Sequence, residues 1–366
     1  MGCFRWYRMK KSKLKYVCYS FNSNISTEYI SDNDNYFKIF GASGLLGFYK
    51  FKSMNKEYLG IVKDGAGVGR ITIYPKNSSL IGTMSYIIPK KNIDIHWLKY
   101  CIMSLNLNES IDKTTIPHIY FSEYGNRKIY LPNNLYRQKT IANFLDETCA
   151  EIDGITKDLQ EQIDILENYK KSVITEAVTK GLNSTADYNC NVRQWFGKIP
   201  RHWVVSRIAA IYKLRNSKVN DRDYPPLSVT MQGVVQQLEC VAKSDAHDDR
   251  RLVCKGDFVI NSRSDRRGSC GIAFTEGSVS LINTVLCPLT NMNARYYNWL
   301  FHTVKFADEF YKWGHGIVDD LWTTNWQDMK NILIPRPPIQ EQKEIANYLD
   351  NKCAELMRLS KIKKNK

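Results

Sequence analysis

The chain has 366 residues, of which 43% are apolar and 24% charged, and its formal net charge is +15. That length and apolar content suit two or three domains with their own cores and exclude a disordered chain. No apolar run approaches the roughly 20 residues that span a bilayer, and the basic start lacks the apolar stretch of a secretory signal, so a cytoplasmic protein without a membrane partner is expected.

Residues 1–137 carry 20 basic against 9 acidic side chains, a balance of +11. Trp6 is followed by a basic-apolar run from Met9 to Tyr16, in which Lys10, Lys11, Lys13 and Lys15 offer contacts to phosphate. Short β-like runs then alternate with glycine turns: Tyr36 to Phe40, Gly41-Ala42-Ser43-Gly44, Tyr58 to Val62, Gly65-Ala66-Gly67-Val68-Gly69, and Arg70 to Tyr74. The segment from Gly65 to Gly69 looks superficially like a phosphate loop, but a β-like run follows it instead of a helix pattern. A turn between strands is expected there, with Lys63 and Arg70 as candidate DNA contacts.

After the β-like run Lys128 to Pro132, apolar residues step by four and three through Ile141, Leu145, Thr148, Ile152, Ile155, Leu159, Gln162, Leu166, Tyr169 and Val173. This is the period of a helix packed along one seam. Gly181 is a suitable stop, so about 40 residues at ~1.5 Å each make a rod of roughly 60 Å. Residues 138–181 hold 9 acidic against 5 basic side chains, which suits contact with protein better than with phosphate.

Residues 182–338, with 20 basic against 15 acidic side chains, open on Gly197-Lys198-Ile199-Pro200-Arg201-His202-Trp203, a proline-marked lead-in with no counterpart before Trp6. The chain looks short at its front relative to its own second half. A β-like run, Gly256 to Ser262, delivers Arg263, Ser264, Asp265, Arg266, Arg267, Gly268 and Ser269 into one turn. Arginine pairs bidentately with guanine edges or with phosphate, and small hydroxyls bond either, so Arg263, Ser264, Arg266, Arg267 and Ser269 are candidate DNA contacts; a solvated basic loop is the alternative. The tryptophan clusters at 313–317 and 322–326 offer a stacking surface or belong to the core.

A repeat organises these elements. Gln138-Lys139-Thr140-Ile141-Ala142-Asn143-Phe144-Leu145-Asp146 returns as Gln342-Lys343-Glu344-Ile345-Ala346-Asn347-Tyr348-Leu349-Asp350, and Cys149-Ala150-Glu151 returns as Cys353-Ala354-Glu355. The second helix continues the seam with Ile345, Leu349, Lys352, Leu356 and Leu359 and is shorter, about 25 residues. Two matching amphipathic helices either pair, antiparallel, or each packs on its own domain. The ten cysteines (3, 18, 101, 149, 190, 240, 254, 270, 287, 353) form no Cys-x-x-Cys pair or zinc set, so reduced thiols and no metal are expected.

The helix starts, above all Pro337-Pro338-Ile339-Gln340-Glu341-Gln342-Lys343-Glu344-Ile345-Ala346-Asn347-Tyr348-Leu349-Asp350, and the stretch Tyr169 to Leu182 resemble the specificity subunit of type I restriction-modification enzymes. The first copy departs at Asn133 to Arg137, where the prolines and glutamate are replaced. The resemblance implies an α+β protein in which two α/β target-recognition domains (1–137 and 182–337) are joined by long antiparallel coiled-coil helices (138–181 and 338–366) in a pseudo-two-fold repeat. It further implies a non-catalytic subunit without cofactor that reads a bipartite, asymmetric site on double-stranded DNA and docks two methyltransferase subunits and, through them, restriction subunits. Helix pairing then falls to Ile141, Leu145, Ile152, Ile155, Leu159, Leu166, Ile345, Leu349, Leu356 and Leu359. The sequence holds no Asn-Pro-Pro-aromatic methyltransferase motif, complete Walker loop or nuclease pattern. Two alternatives remain: a truncated or silent recognition subunit that binds DNA without assembling an enzyme, and a DNA-modifying enzyme with an unrecognised catalytic centre.

Overall fold

The computed structural model describes residues 9–50, 54–107, 111, 117–183, 185–189, 194–237, 249–263, 266–289, 292–316 and 322–364. Trp6, Cys3, Cys190, Cys240, Ser264, Asp265 and Ile317 lie outside the described residues. The chain divides into two compact units, 1–156 and 157–366.

In unit 1, β1 (Met9–Lys13) is followed by β2 (Cys18–Asn22), β3 (Phe37–Gly41), β4 (Gly44–Tyr49), β5 (Tyr58–Val62), β6 (Ile71–Tyr74), β7 (Ser78–Leu80), β8 (Met84–Pro89) and, after two helices, β9 (Lys128–Pro132). The helices are α1 (Ile95–Met103) and the single turn α2 (Phe121–Tyr124). A four-stranded antiparallel sheet runs β2-β8-β5-β6, a three-stranded one β4-β3-β7, and β1 pairs with β9 alone. Period-two alternation on β5 splits its side chains between two cores. Leu59 and Ile61 join Trp97, Leu98 and Ile102 of α1, whereas Tyr58 and Val62 face Ile39 and Leu80 of the second sheet.

After α3 (Leu135–Lys180), unit 2 repeats the plan with β10 (Tyr188–Asn189), β11 (Ile199–Pro200), β12 (Val204–Arg207), β13 (Tyr212–Leu214), β14 (Lys218–Val219), β15 (Leu227–Thr230) and β16 (Gly233–Gln236). It continues through β17 (Arg250–Val253), β18 (Phe258–Asn261), β19 (Cys270–Ile272), β20 (Gly277–Ser280), β21 (Asn283–Pro288) and β22 (Leu333–Arg336). Its helices are α4 (Ala294–Phe301), α5 (Val304–Lys312), α6 (Trp326–Met329) and α7 (Ile339–Lys364). The sheet β13-β21-β18-β19 matches β2-β8-β5-β6, and β12–β22 matches β1–β9. Phe258 and Ile260 point into the core with α4, and Val259 into the core with Val253 and Val279.

The repeated helix signature acquires a physical meaning here. Gln138 and Gln342 are each only 2% exposed. The Gln138 carbonyl accepts the backbone N–H of Asp94, which caps α1, at 2.8 Å, and the Gln342 carbonyl accepts that of Asn293, which caps α4, at 3.0 Å. Their amides donate to the carbonyls of Asn92 and Pro337. One turn on, Ala142 and Ala346 are buried, their small side chains allowing close approach. Asp146 accepts from the Tyr100 hydroxyl at 2.6 Å and meets His96 at 3.2 Å; Asp350 accepts from the Trp299 indole at 2.9 Å and meets Arg295 at 2.6 Å. Each long helix is thereby clamped to the cap and one face of its own domain's helix.

In unit 2 the end of α3 also pairs with α7. Lys363 bonds Gln162 and Lys364 meets Glu167, while near the start of α7 Glu341 lies against Gly181, so the two run antiparallel. Pairing and packing on the domain therefore coexist. The buried stripe of α7 is Ile345, Leu349, Cys353 and Leu356; Lys352 sits at its edge and pairs with Glu355, and Leu359 is exposed. On α3 the stripe runs through Leu159, Ile163, Leu166, Val173 and Ala177, with Ile163 instead of Gln162 inside and Tyr169 half-exposed. Ile141 and Leu145 are half-buried on unit 1. Ile152 and Ile155, assigned to the seam from their spacing, are 55% and 53% exposed, because the stretch paired with α7 runs from Gly181 back only to Gln162. Their removal from the seam corrects the periodic reading. The first helix begins earlier than expected, at Leu135, and spans 46 residues.

Replacing Gln342 by Ala leaves the Asn293 N–H and the Pro337 carbonyl unpaired in a buried place. Urea unfolding of the variant is expected to show a loss of roughly 1–3 kcal/mol, more than the loss from the exposed Lys343→Ala control.

Candidate nucleic-acid interface

Of the residues selected for DNA contact, two in one half and four in the other fall on one turn of the repeated sheet, whereas Lys10, Lys11 and Lys13 do not. Lys63 and Arg70 flank the turn from β5 to β6, and Arg263, Arg266, Arg267 and Ser269 occupy the turn from β18 to β19, its counterpart. Both turns also touch a later segment in the same way: Asp64 forms a β-bridge with His118, and Arg263 with Thr323. A glycine at positive φ, Gly69 or Gly268, closes each turn where an L side chain would be strained.

A hairpin tip adjoins each turn. Arg70 donates to the Ala42 carbonyl, in the β3–β4 turn, at 3.0 Å. In unit 2 a Cβ on Gly271 would come within 2.7 Å of the Gly233 Cα, so only glycine lets the β15–β16 hairpin approach β19 this closely. The hairpin tip then sets the exposed Met231 beside Gly268.

The arginine turn is exposed at Arg263, Arg266 and Arg267. Arg267 stacks its guanidinium 3.8 Å from the Tyr311 ring centroid and meets Asp308 at 3.5 Å. Exposed contacts of these two kinds contribute about 1 kcal/mol or less each, enough to orient the group and weak enough to exchange for phosphate or a base edge. Ser269 is withdrawn: it is 5% exposed, and its backbone closes the turn through bonds with Arg266 and Asn261. In unit 1, Lys63 is partly buried and pairs with Asp64, whose carboxylate also bonds His118. Lys10, Lys11 and Lys13 lie on β1, which pairs with β9 and not with the turn; Lys11 rests over the Tyr130 ring at 5.7 Å.

Not all of the positive charge is available to a polyanion. Asp257, 1% exposed, holds Arg215 through two bonds of 2.5 and 2.9 Å, which push the guanidinium pKa up further. Arg250 is buried in the sheet against Ser278, and burial lowers its pKa. The residues that pure sequence reading missed are Tyr311 and Asp308, which position Arg267 from a helix some 40 positions away. Trp322 belongs to the same wall, its indole donating to the Tyr311 carbonyl at 2.8 Å, and Trp313 packs against the core. Among the described residues no group of His, Cys, Asp and Glu could hold a metal ion, and no helix is long and apolar enough to cross a membrane. The seven described cysteines are unbridged, and burial pushes the Cys18 and Cys101 thiols up to about 12.

Two domains of one plan, each with a cationic turn at the end of a central strand pair and each clamped to a long helix, define a duplicated α+β protein. Comparison with known proteins agrees. The model of the type I restriction modification DNA specificity domain matches twice, over residues 8–164 and 200–366. The chain belongs to this family. It is 28% identical over 203 residues to the type I restriction enzyme MjaVIII specificity subunit of Methanocaldococcus jannaschii, covering 53% of this chain and 43% of that protein. It is likewise 28% identical over 123 residues to the EcoprrI specificity subunit of Escherichia coli, covering 32% and 29%. The matched stretches thus span less than half of these relatives. Among solved structures, one from a study of complex assembly and conformational transition of the type I R-M system shares the fold at a TM-score of 0.70, with 13% identity and coverage of 98% and 93%. The HsdS subunit from Thermoanaerobacter tengcongensis does so at 0.55, with 14% identity and coverage of 97% and 91%.

Arg267→Ala is expected to weaken binding of a recognised duplex by roughly 1–3 kcal/mol in fluorescence anisotropy, with relaxed discrimination only at the base pairs it contacts. An equal loss on unrelated duplexes identifies Arg267 as a phosphate contact instead.

Proposed function

We propose that this chain reads a bipartite, asymmetric site on double-stranded DNA, one half with each domain, as a non-catalytic subunit. The observation that carries this reading is the shared turn: the same strand pair presents Lys63 and Arg70 in one unit and Arg263, Arg266 and Arg267 in the other. Equivalent placement supports equivalent use, and unlike residues favour unlike half-sites. The reading takes residues 1–137 and 182–337 as recognition domains and 138–181 and 338–366 as spacer helices. Two methyltransferase subunits dock on the protein, and restriction subunits join through them. The acidic balance of residues 138–181 favours a protein partner for that helix over DNA.

The spacer works as a ruler, in the way that dimer spacing sets half-site separation elsewhere. Inserting seven residues into α3 between Asp164 and Tyr169, with a matching insertion in α7 between Lys352 and Leu359, lengthens the pair by about 10 Å. That corresponds to roughly three base pairs of additional spacer. The measurement is single-molecule sequencing of methylated sites in cells co-expressing the chain with its methyltransferase subunit: both half-sites are expected to persist with a longer gap, and an unchanged gap refutes the ruler. Methylation of DNA by the isolated chain with S-adenosylmethionine would instead support a catalytic centre in the chain itself, and failure to co-purify with a methyltransferase subunit at the natural expression ratio would support a silent subunit.

A further inference from the structure

Beneath the arginine turn of unit 2 lies a cavity of about 20 Å³, room for one group the size of a water or a methyl. Its floor is made of the buried rings of Phe301, Phe306 and Phe310, and its rim of Arg263, Arg267 and Tyr311. The polar side chains in its wall are already paired. The Ser262 and Thr284 hydroxyls bond each other at 2.9 Å, Thr324 Oγ1 donates to the Phe310 carbonyl at 2.8 Å, and Asn261 Oδ1 accepts the Arg263 N–H at 3.0 Å. A buried water needs roughly two to four polar partners, so this cavity suits an apolar group better.

The internal repeat shows what kind of group belongs there. The Val62 N–H donates to the Arg70 carbonyl and the Asn261 N–H to the Ser269 carbonyl, each at 2.9 Å, and Gly69 and Gly268 close the two turns at positive φ. Val68, two residues before Arg70, therefore stands where Arg267 stands, two residues before Ser269. Ile61 and Ile260 precede the two donors, and Ile102 and Phe301 each lie eight residues past their helix caps, Asp94 and Asn293. Val68 packs its branched side chain against the core that contains Ile61 and Ile102. Arg267 turns outward instead, to the Tyr311 ring at 3.8 Å and to Asp308. Unit 1 thus fills the underside of its turn with methyl groups of its own, and unit 2 leaves the corresponding place open.

The occupant has to come from what the turn faces. Under the reading of DNA by these turns, on which the inference rests, that is the edge of a base pair in the major groove. The apolar group presented there is the methyl on C5 of a pyrimidine, set among hydrogen-bond donors and acceptors. We propose that the cavity receives the C5-methyl group of one pyrimidine, thymine or 5-methylcytosine, in the half-site that unit 2 reads. Arg263 and Arg267 on the rim then meet the neighbouring phosphate or guanine edge. Burying one methyl against Phe301 and Phe306 favours that base over its unmethylated form by about fourfold.

The test uses the full chain and a duplex taken from the sites methylated in cells that co-express it with its methyltransferase subunit, with fluorescence anisotropy as the readout. Each thymine is replaced in turn by deoxyuridine, which removes the methyl and keeps every hydrogen-bonding group. In a second series each cytosine is replaced by 5-methylcytosine. One position in one half-site is expected to respond: weakening of about fourfold at a thymine assigns the methyl to thymine, and tightening of about fourfold at a cytosine assigns it to 5-methylcytosine. Ala307→Leu, which fills the cavity from its wall, should bind the methylated and unmethylated forms of that duplex equally, with an unchanged thermal melt by circular dichroism. Ala307→Val, a smaller filling, serves the same comparison where leucine lowers the melt. A chain that prefers the recognised duplex over an unrelated one yet responds to no methyl in either series overturns the proposal and leaves the reading of two half-sites standing. A methyl effect of the same size in the filled variants overturns it as well, since the methyl then lies elsewhere. A chain that binds all duplexes alike overturns both.

Discussion

A glutamine side chain carries one acceptor and one donor at the same end, and burying it is costly unless both are used. Gln138 and Gln342 are buried and use both, each taking the first N–H of a capping residue and giving an N–H to a nearby carbonyl. The capping residues Asp94 and Asn293 in turn bond the N–H groups of Trp97 and Tyr296 at the starts of α1 and α4. One amide thus joins the beginning of a long helix to the beginning of a short one in the domain that precedes it. The direction in which each long helix leaves its domain follows from that junction, and with it the position of everything the domain displays relative to the helix.

The aspartate eight residues further on fixes the rotation about the helix axis. Asp146 and Asp350 bond the aromatic side chains Tyr100 and Trp299, which lie six residues past their caps. The bond to the Asp146 carboxylate raises the Tyr100 pKa and so favours its protonated, donating form. The flanking charges differ, His96 in one unit and Arg295 in the other, and both are substantially exposed. Exposed pairs contribute little, so these flanks are free to differ while the buried glutamine is not.

Much of this architecture was legible in the sequence because the signature repeats with a constant offset of 204 residues through the helix starts. What the signature binds was not. Asp94, Tyr100, Asn293 and Trp299 sit at an offset of 199, share no sequence identity, and signal only through capping chemistry, which is common. The seam was read in part: Leu166 lies in it, but spacing alone preferred Ile152 and Ile155 over Ile163, since periodicity says which residues share a face and not where the partner ends. The arginine turn was found from composition, and its equivalence to the Lys63–Arg70 turn holds in the sheet order. Ser269 could not be separated from its neighbours, because its burial depends on Asn261 across the hairpin. Net charge overstated the available cations for the same reason: Arg215 and Arg250 are committed to Asp257 and Ser278 by contacts 42 and 28 positions distant.

The division between fixed and variable parts follows from these contacts. The clamp, the buried alanines and the four-stranded sheet recur in both units, and they are the parts in which a change costs core packing or a buried hydrogen bond. The turns and the hairpin tips beside them differ between the units. They are held by weak, exposed contacts such as Arg267 over Tyr311 and Arg70 on the Ala42 carbonyl. A scaffold of this kind lets residues at the turn change without disturbing the junction that orients the domain on its helix. Under the proposed reading, sequence preference in each half-site can then be altered one domain at a time, while the separation of the halves depends on helix residues that the turns never touch.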